Sequence, residues 1–240
     1  MKLNIIFFVT SFVAIIFSLI GPQQSLAADF TYPNLKWEVA FTRKGVKVYK
    51  AEKDKKSGIV PIKFETILDY PPSRVLAVLA NSKRKTQWIP HLSEAKTIKK
   101  FSDTEKYEYN VYSSPWPFDD RTFLIHLKSS IDEKKREIIT ELKSIELPEV
   151  PVRKDHVRGT TYYGKVIVRS TEAGKTFLEM MFLTDFKGSI PTWIVNLVQG
   201  AWPKNMVKNI NKQLEKDDIV IPKKWLAMDI PPSETSEKKE

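Results

Sequence analysis

The chain has 240 residues, 39 Lys and Arg against 29 Asp and Glu, a net charge of +10 and no cysteine. The lack of cysteine excludes disulfides, thiol nucleophiles and cysteine metal ligands, while the length suits one domain with a sizeable core. The basic residues alternate with acids, as in Lys53-Asp54-Lys55-Lys56 and Glu133-Lys134-Lys135-Arg136-Glu137, a pattern of solvated hairpin tips that leaves room for transient contact with an anionic membrane.

Met1-Lys2 precedes an apolar run from Ile5 to Ile20, which Gly21-Pro22 closes, and Ser25-Leu26-Ala27 puts small residues at a cleavage site. The run is shorter than the ~20 residues a spanning helix needs, so residues 1–27 are expected to be a signal peptide and the chain to be exported, periplasmic or secreted. In that setting nucleic acid is not an expected partner. Pro33 to Phe41 reads as a short helix carrying Leu35, Trp37, Val39 and Phe41. Val46 to Ala51 and Ile59 to Leu68 alternate as strands. Tyr70-Pro71-Pro72 stops the second, and Ser73 is expected to cap a helix bearing Val75, Leu76, Val78 and Leu79. Lys83 to Trp88 makes a short helix or turn, closed by Pro90.

Strands are expected over residues 94–101, 105–113, 121–131, 136–145, 158–170 and 175–186. Short polar breaks at 102–104, 132–135 and 171–174 predict antiparallel hairpins. A proline-containing loop spans Glu146 to Asp155. A long helix follows, with Ile190, Trp193, Ile194, Leu197, Val198, Ala201, Val207, Ile210 and Leu214 at three- and four-residue spacing. Gly200 and Pro203 predict a kink. Residues 219–240 form an extension whose polar end, from Ser233, is expected to be disordered.

These elements predict one α+β domain over residues 28–218, a curved antiparallel sheet wrapped around a long C-terminal helix. Where the helix only partly fills the concave face, a cavity for an apolar molecule remains. On the strand at 105–113, Glu108, Asn110 and Tyr112 share a face. Two readings stay open: that face is wet while Tyr107, Tyr109 and Val111 point inward, or it lines the cavity. In the second case Glu108 needs a base, a ligand hydroxyl or a raised pKa. On the next strand Arg121, Phe123, Ile125 and Leu127 are expected inward, with Arg121 near the rim and pairing Asp119 or Asp120. Trp116 is expected to pack its turn onto the sheet. Met180, Trp193 and Leu197 are core positions that double as cavity wall.

Enzyme signatures are missing: His91, His126 and His156 lack H-E-x-x-H spacing, and there is no G-x-S-x-G elbow, P-loop or Rossmann glycine pattern. No catalytic residue, metal or cofactor is therefore expected. Adjacent acids such as Asp119-Asp120 are more often caps than ligands.

Three segments carry a resemblance. They are Ser114-Pro115-Trp116-Pro117-Phe118-Asp119-Asp120-Arg121-Thr122-Phe123, then Pro148-Glu149-Val150-Pro151 running to Val157-Arg158, then Asp185-Phe186-Lys187-Gly188-Ser189-Ile190-Pro191-Thr192-Trp193. In this order they resemble the START family of lipid-transfer domains over about Tyr32 to Asp217. The resemblance implies a helix-grip fold whose tunnel holds one lipid or other hydrophobic small molecule and transfers it between membranes. It implies cargo entry near the last helix and the Pro148–Pro151 loop. The wider superfamily includes cyclases and hydrolases, so an enzyme on an apolar substrate is the alternative. Some members carry a buried acid and arginine in the tunnel; Glu108 falls at the acid position and Leu127 at the arginine position. Either the pocket floor is more apolar here, or another base answers Glu108. The implied ligand-binding set is Glu108, Tyr112, Trp116, Arg121, Phe123, Ile125, Leu127, Met180, Trp193 and Leu197.

Overall fold

Lys44 and Gly45, with φ of 51° and 74°, form the left-handed pair that a two-residue hairpin requires. Strand β1 (Trp37–Arg43) therefore folds back on β2 (Val46–Ala51). This corrects the helix expected from Pro33 to Phe41. Trp37 and Phe41 suit a helical spacing, but Trp37, Val39 and Phe41 also alternate, and the turn after them decides.

The computed structural model describes residues 34–55, 58–188 and 192–230, with the side chains of residues 192–200 outside that description. The expected signal peptide and the polar end from Ser233 also lie outside the described residues. After β3 (Ile62–Leu68) come α1 (Pro72–Leu79) and a 3₁₀ turn (Ser82–Arg84) that leads into α2 (Lys85–Trp88). Strands β4 (Leu92–Lys100), β5 (Glu105–Tyr112), β6 (Asp120–Asp132), β7 (Glu137–Ser144), β8 (His156–Arg158), β9 (Thr160–Ser170) and β10 (Thr176–Asp185) follow. Helix α3 (Thr192–Leu214) continues through Pro203, and a 3₁₀ segment (Lys223–Asp229) ends the described chain. The sheet runs β1-β2-β3-β10-β9-β7-β6-β5-β4. The hairpins β4/β5, β6/β7 and β9/β10 pair antiparallel, as their polar breaks predict.

One strand departs from expectation. The stretch at 158–170 is broken at Gly159, and β8 pairs with β6 in parallel. The Gly159 N–H donates to the Thr122 carbonyl at 2.9 Å. A Cβ there would lie 2.3 Å from the Phe123 ring, so a glycine is what leaves room for that ring beside the β8 backbone.

The loop between β7 and β8 covers the convex face. Its Leu147 and Val150, with Ile145, pack on Tyr109, Val111 and Leu124. Arg153 makes a bidentate pair with Glu94 at 2.8 and 2.9 Å and stacks over the Tyr109 ring. The Pro148–Pro151 loop thus lies across the sheet from the interior, which corrects its expected place at a cargo opening.

On the concave side, α3 lays Met206, Val207, Ile210 and Leu214 against Phe64, Leu68 and the α1 residues Val75 and Val78. Ser73 does not cap its own helix. Pro71 occupies the cap position without a side-chain bond, and the Asp229 carboxylate accepts from the Ser73 amide at 2.8 Å and its hydroxyl at 2.7 Å. The last described turn, Lys223–Asp229, therefore satisfies an amide that α1 leaves orphaned. Among the described residues no helix is long and apolar enough to cross a membrane.

Candidate functional site

A cavity of about 1290 Å³ lies between the concave sheet and the helices. Its wall follows strand alternation. From β6 come Phe123, Ile125 and Leu127, and from β10 Met180 and Phe182. Phe123 meets Tyr112 and Phe186 edge-on, with ring centroids 5.5 and 5.7 Å apart. Trp88 of α2 and Trp202 and Met206 of α3 close the opposite side.

The structure resolves the two readings of β5. Glu108, Asn110 and Tyr112 line the cavity, while Tyr109 and Val111 are buried under the β7–β8 loop. Both faces are covered, so alternation alone could not say which held the interior. Seven of the candidate residues border the cavity: Glu108, Tyr112, Arg121, Phe123, Ile125, Leu127 and Met180. Trp116 does not pack its turn onto the sheet; it is 92% exposed, although the adjoining Pro115 lines the cavity. The side chains of Trp193 and Leu197 lie outside the described residues.

Glu108 is fully buried and answered by two bases that sequence reading did not single out. The Lys85 ammonium donates to Oε1 at 2.5 Å, and Lys106 lies 2.7 Å from Oε2. The Ser82 hydroxyl also donates to Oε2, at 2.9 Å. Burial alone would push the carboxyl up; the two ammonium groups outweigh it and hold Glu108 at about 2. Lys106 is shifted down by burial and by neighbouring Lys85. Burial, with the Glu108 charge, pushes the Tyr112 hydroxyl up, so it stays neutral. Of the two alternatives left open by Leu127, the structure thus shows other bases, Lys85 and Lys106, answering Glu108. Lys106 was within reach of the sequence, since it sits two residues before Glu108 on the same strand face. Lys85, on a four-residue helix, gave no local signal.

Arg121 plays another part. Its guanidinium donates to the carbonyls of Phe186 and Lys187, each at 3.3 Å, and to that of Asp119. It thus bonds backbone rather than the Asp119 or Asp120 carboxylate it was expected to pair. Asp120 instead accepts from the Ser114 amide at 2.9 Å. Arg121 staples the Pro115–Phe118 turn to the segment that enters α3. Among the described residues no group of three or more His, Asp or Glu could hold a metal ion.

A curved antiparallel sheet, closed by helices over a large, mostly apolar interior, defines a cavity-bearing fold of the helix-grip class. The START domain model matches residues 25–216, and the chain belongs to the START domain family. It is 27% identical to human START domain-containing protein 10, over 72% of this chain and 59% of that protein. It is 24% identical to mouse phosphatidylcholine transfer protein, over 75% of this chain and 82% of that one. The crystal structure of a STAR-related lipid transfer protein fragment from Xanthomonas axonopodis superposes with a TM-score of 0.64 at 24% identity, covering 75% of this chain and 99% of that one. At that identity the likeness shows the fold.

Proposed function

We propose that the protein binds one lipid-like molecule in this cavity and carries it between membranes. The observation that carries the reading is an apolar space of about 1290 Å³, beyond the ~300–1,000 Å³ of ordinary small-molecule pockets. At roughly 30 Å³ per water-sized group it admits on the order of forty non-hydrogen atoms, more than a single fatty acid needs. Each methylene moved out of water contributes about 0.8 kcal/mol, so acyl chains supply most of the affinity. The name of the mouse phosphatidylcholine transfer protein points the same way. Exposed Trp116, beside the cavity-lining Pro115, is the side chain suited to enter a membrane interface during exchange. The leader-like residues 1–27 support an exported setting.

Native mass spectrometry of the purified protein, followed by transfer of a fluorescent lipid from donor to acceptor vesicles, tests this. A one-to-one lipid adduct and protein-dependent transfer are expected. Empty spectra together with no uptake from vesicles sink the proposal.

A further inference from the structure

The charged wall of the cavity has unspent hydrogen-bonding capacity. An ammonium group carries three N–H donors. Lys85 uses one, on Glu108. Lys106 uses two, on Glu108 and on the Ser82 hydroxyl. Three donors on these two groups thus have no acceptor among the described residues. Nearby, the Trp88 Nε1–H donor is buried with no partner, and so is the Asn110 Oδ1, an acceptor that would serve a head-group hydroxyl rather than an oxyanion. Trp88 is 5% exposed and Asn110 9%, and both line the same cavity. Their positions are coherent: Lys85 and Trp88 are three apart on α2, and Lys106, Glu108 and Asn110 alternate on β5. Leaving a buried polar atom without a partner opposes folding, so this cluster reads as prepared for a ligand rather than as finished packing.

The charge is equally one-sided. Two ammonium groups share one carboxylate, leaving one positive charge in the wall. The rim of this end does not cancel it. Lys100 and Lys224 both pair with Asp103, and Glu105 is engaged by His126. Four lysines therefore face three carboxylates around this end of the cavity. A sterol hydroxyl or glyceride ester would leave that excess uncompensated, whereas an oxyanion offers both the charge and several acceptors.

We infer that Lys85, Lys106 and Trp88 form a reading site for an anionic head group, so that the cargo is an amphiphile with a net negative phosphate or carboxylate rather than a zwitterionic or uncharged lipid. This rests on the lipid-binding reading above. It differs from a balanced acid–base pair because the wall holds one base too many.

The test is a competition within a single vesicle. The full-length protein is incubated with phosphatidylcholine vesicles containing equal small fractions of phosphatidic acid, oleate and diacylglycerol. It is then recovered, and its bound lipid is quantified by mass spectrometry. Because all the lipids share one surface, adsorption of a basic protein to an anionic membrane does not bias the ratio. A charge-assisted hydrogen bond is worth about 1.5–3 kcal/mol, so enrichment of an anionic species over diacylglycerol by about tenfold or more is expected. Phosphatidic acid in excess identifies a phosphate reader, and oleate in excess a carboxylate reader. In Lys106→Gln the ratio should fall toward one. Should that variant not fold, the wild-type ratio decides alone. Uptake without charge preference, or preference for diacylglycerol or phosphatidylcholine, overturns the inference and leaves the carrier reading standing. No lipid in any form overturns both.

Discussion

Glu108→Gln probes the charged wall directly. The substitution keeps the side chain's shape and removes its charge, leaving Lys85 and Lys106 to face each other. In the folded protein the carboxyl sits at about 2 rather than the ordinary 4.5. At about 1.4 kcal/mol per pH unit, that difference corresponds to roughly 3 kcal/mol. The lowered pKa of Lys106 returns part of it, because burying that ammonium group opposes folding. Breaking a buried pair by removing one partner costs about 3–5 kcal/mol. A loss of about 2–4 kcal/mol at pH 7 follows. Urea unfolding followed by tryptophan fluorescence reads it as a lower midpoint with an unchanged slope. The loss should shrink as pH rises toward the lysine range, since Lys106, held below its ordinary value by burial and by Lys85, then sheds its charge. The triple variant Lys85→Met, Lys106→Met, Glu108→Leu removes the whole cluster and should be close to wild-type stability or above it. A Glu108→Gln loss under about 1 kcal/mol, or an equal loss in the triple variant, would refute this account of the wall.

Acid should act on the same group. Its folded pKa lies below its unfolded one, so its contribution is complete above about pH 4.5 and drains away as pH falls through about 2; urea midpoints between pH 6 and 2 should trace that window. Gly159→Ala drives a methyl to within 2.3 Å of the Phe123 ring, which Tyr112 and Phe186 hold in place. A loss of about 1–3 kcal/mol is expected, and an unchanged melting temperature would show that the ring yields. Trp116→Ala removes a side chain 92% exposed, so stability should stay within about 0.5 kcal/mol while vesicle-to-vesicle lipid transfer slows. Transfer at the wild-type rate would rule out Trp116 as the membrane-facing residue.

The hairpins were readable because their signal is local. Alternation over β4 to β7 and short polar breaks carry both strand and turn, and the order of elements carried the fold. What escaped the sequence depends on contacts distant along the chain. Trp37 to Arg43 fits either period, and only the Lys44-Gly45 turn favours the strand. The parallel β6–β8 pairing needs a glycine whose closest neighbour, Phe123, belongs to another strand. Within the site, the apolar face of β6 was legible from its own pattern. The polar face of β5 was not, because a separate loop buries its reverse side and makes both faces look inward. Lys85 reaches Glu108 across twenty-three positions, and no periodicity records that meeting. Trp116 misled for a related reason: a tryptophan between prolines reads as packing until the turn is seen to project outward.

The family match stops at residue 216, yet the carboxylate that completes α1 belongs to Asp229. That helix borrows its amino-terminal partner from sequence beyond the span the family model matches. Excising the protein at the family limit would also strip away Met228, only 4% exposed, and the Lys224–Asp103 tether to the β4–β5 tip. The seam between helix and tail would open beside the chamber's basic end, where Trp225 forms part of the wall. The smallest intact unit of this chain therefore extends through Asp229, and shortened versions would report on a leaking vessel rather than on the native one.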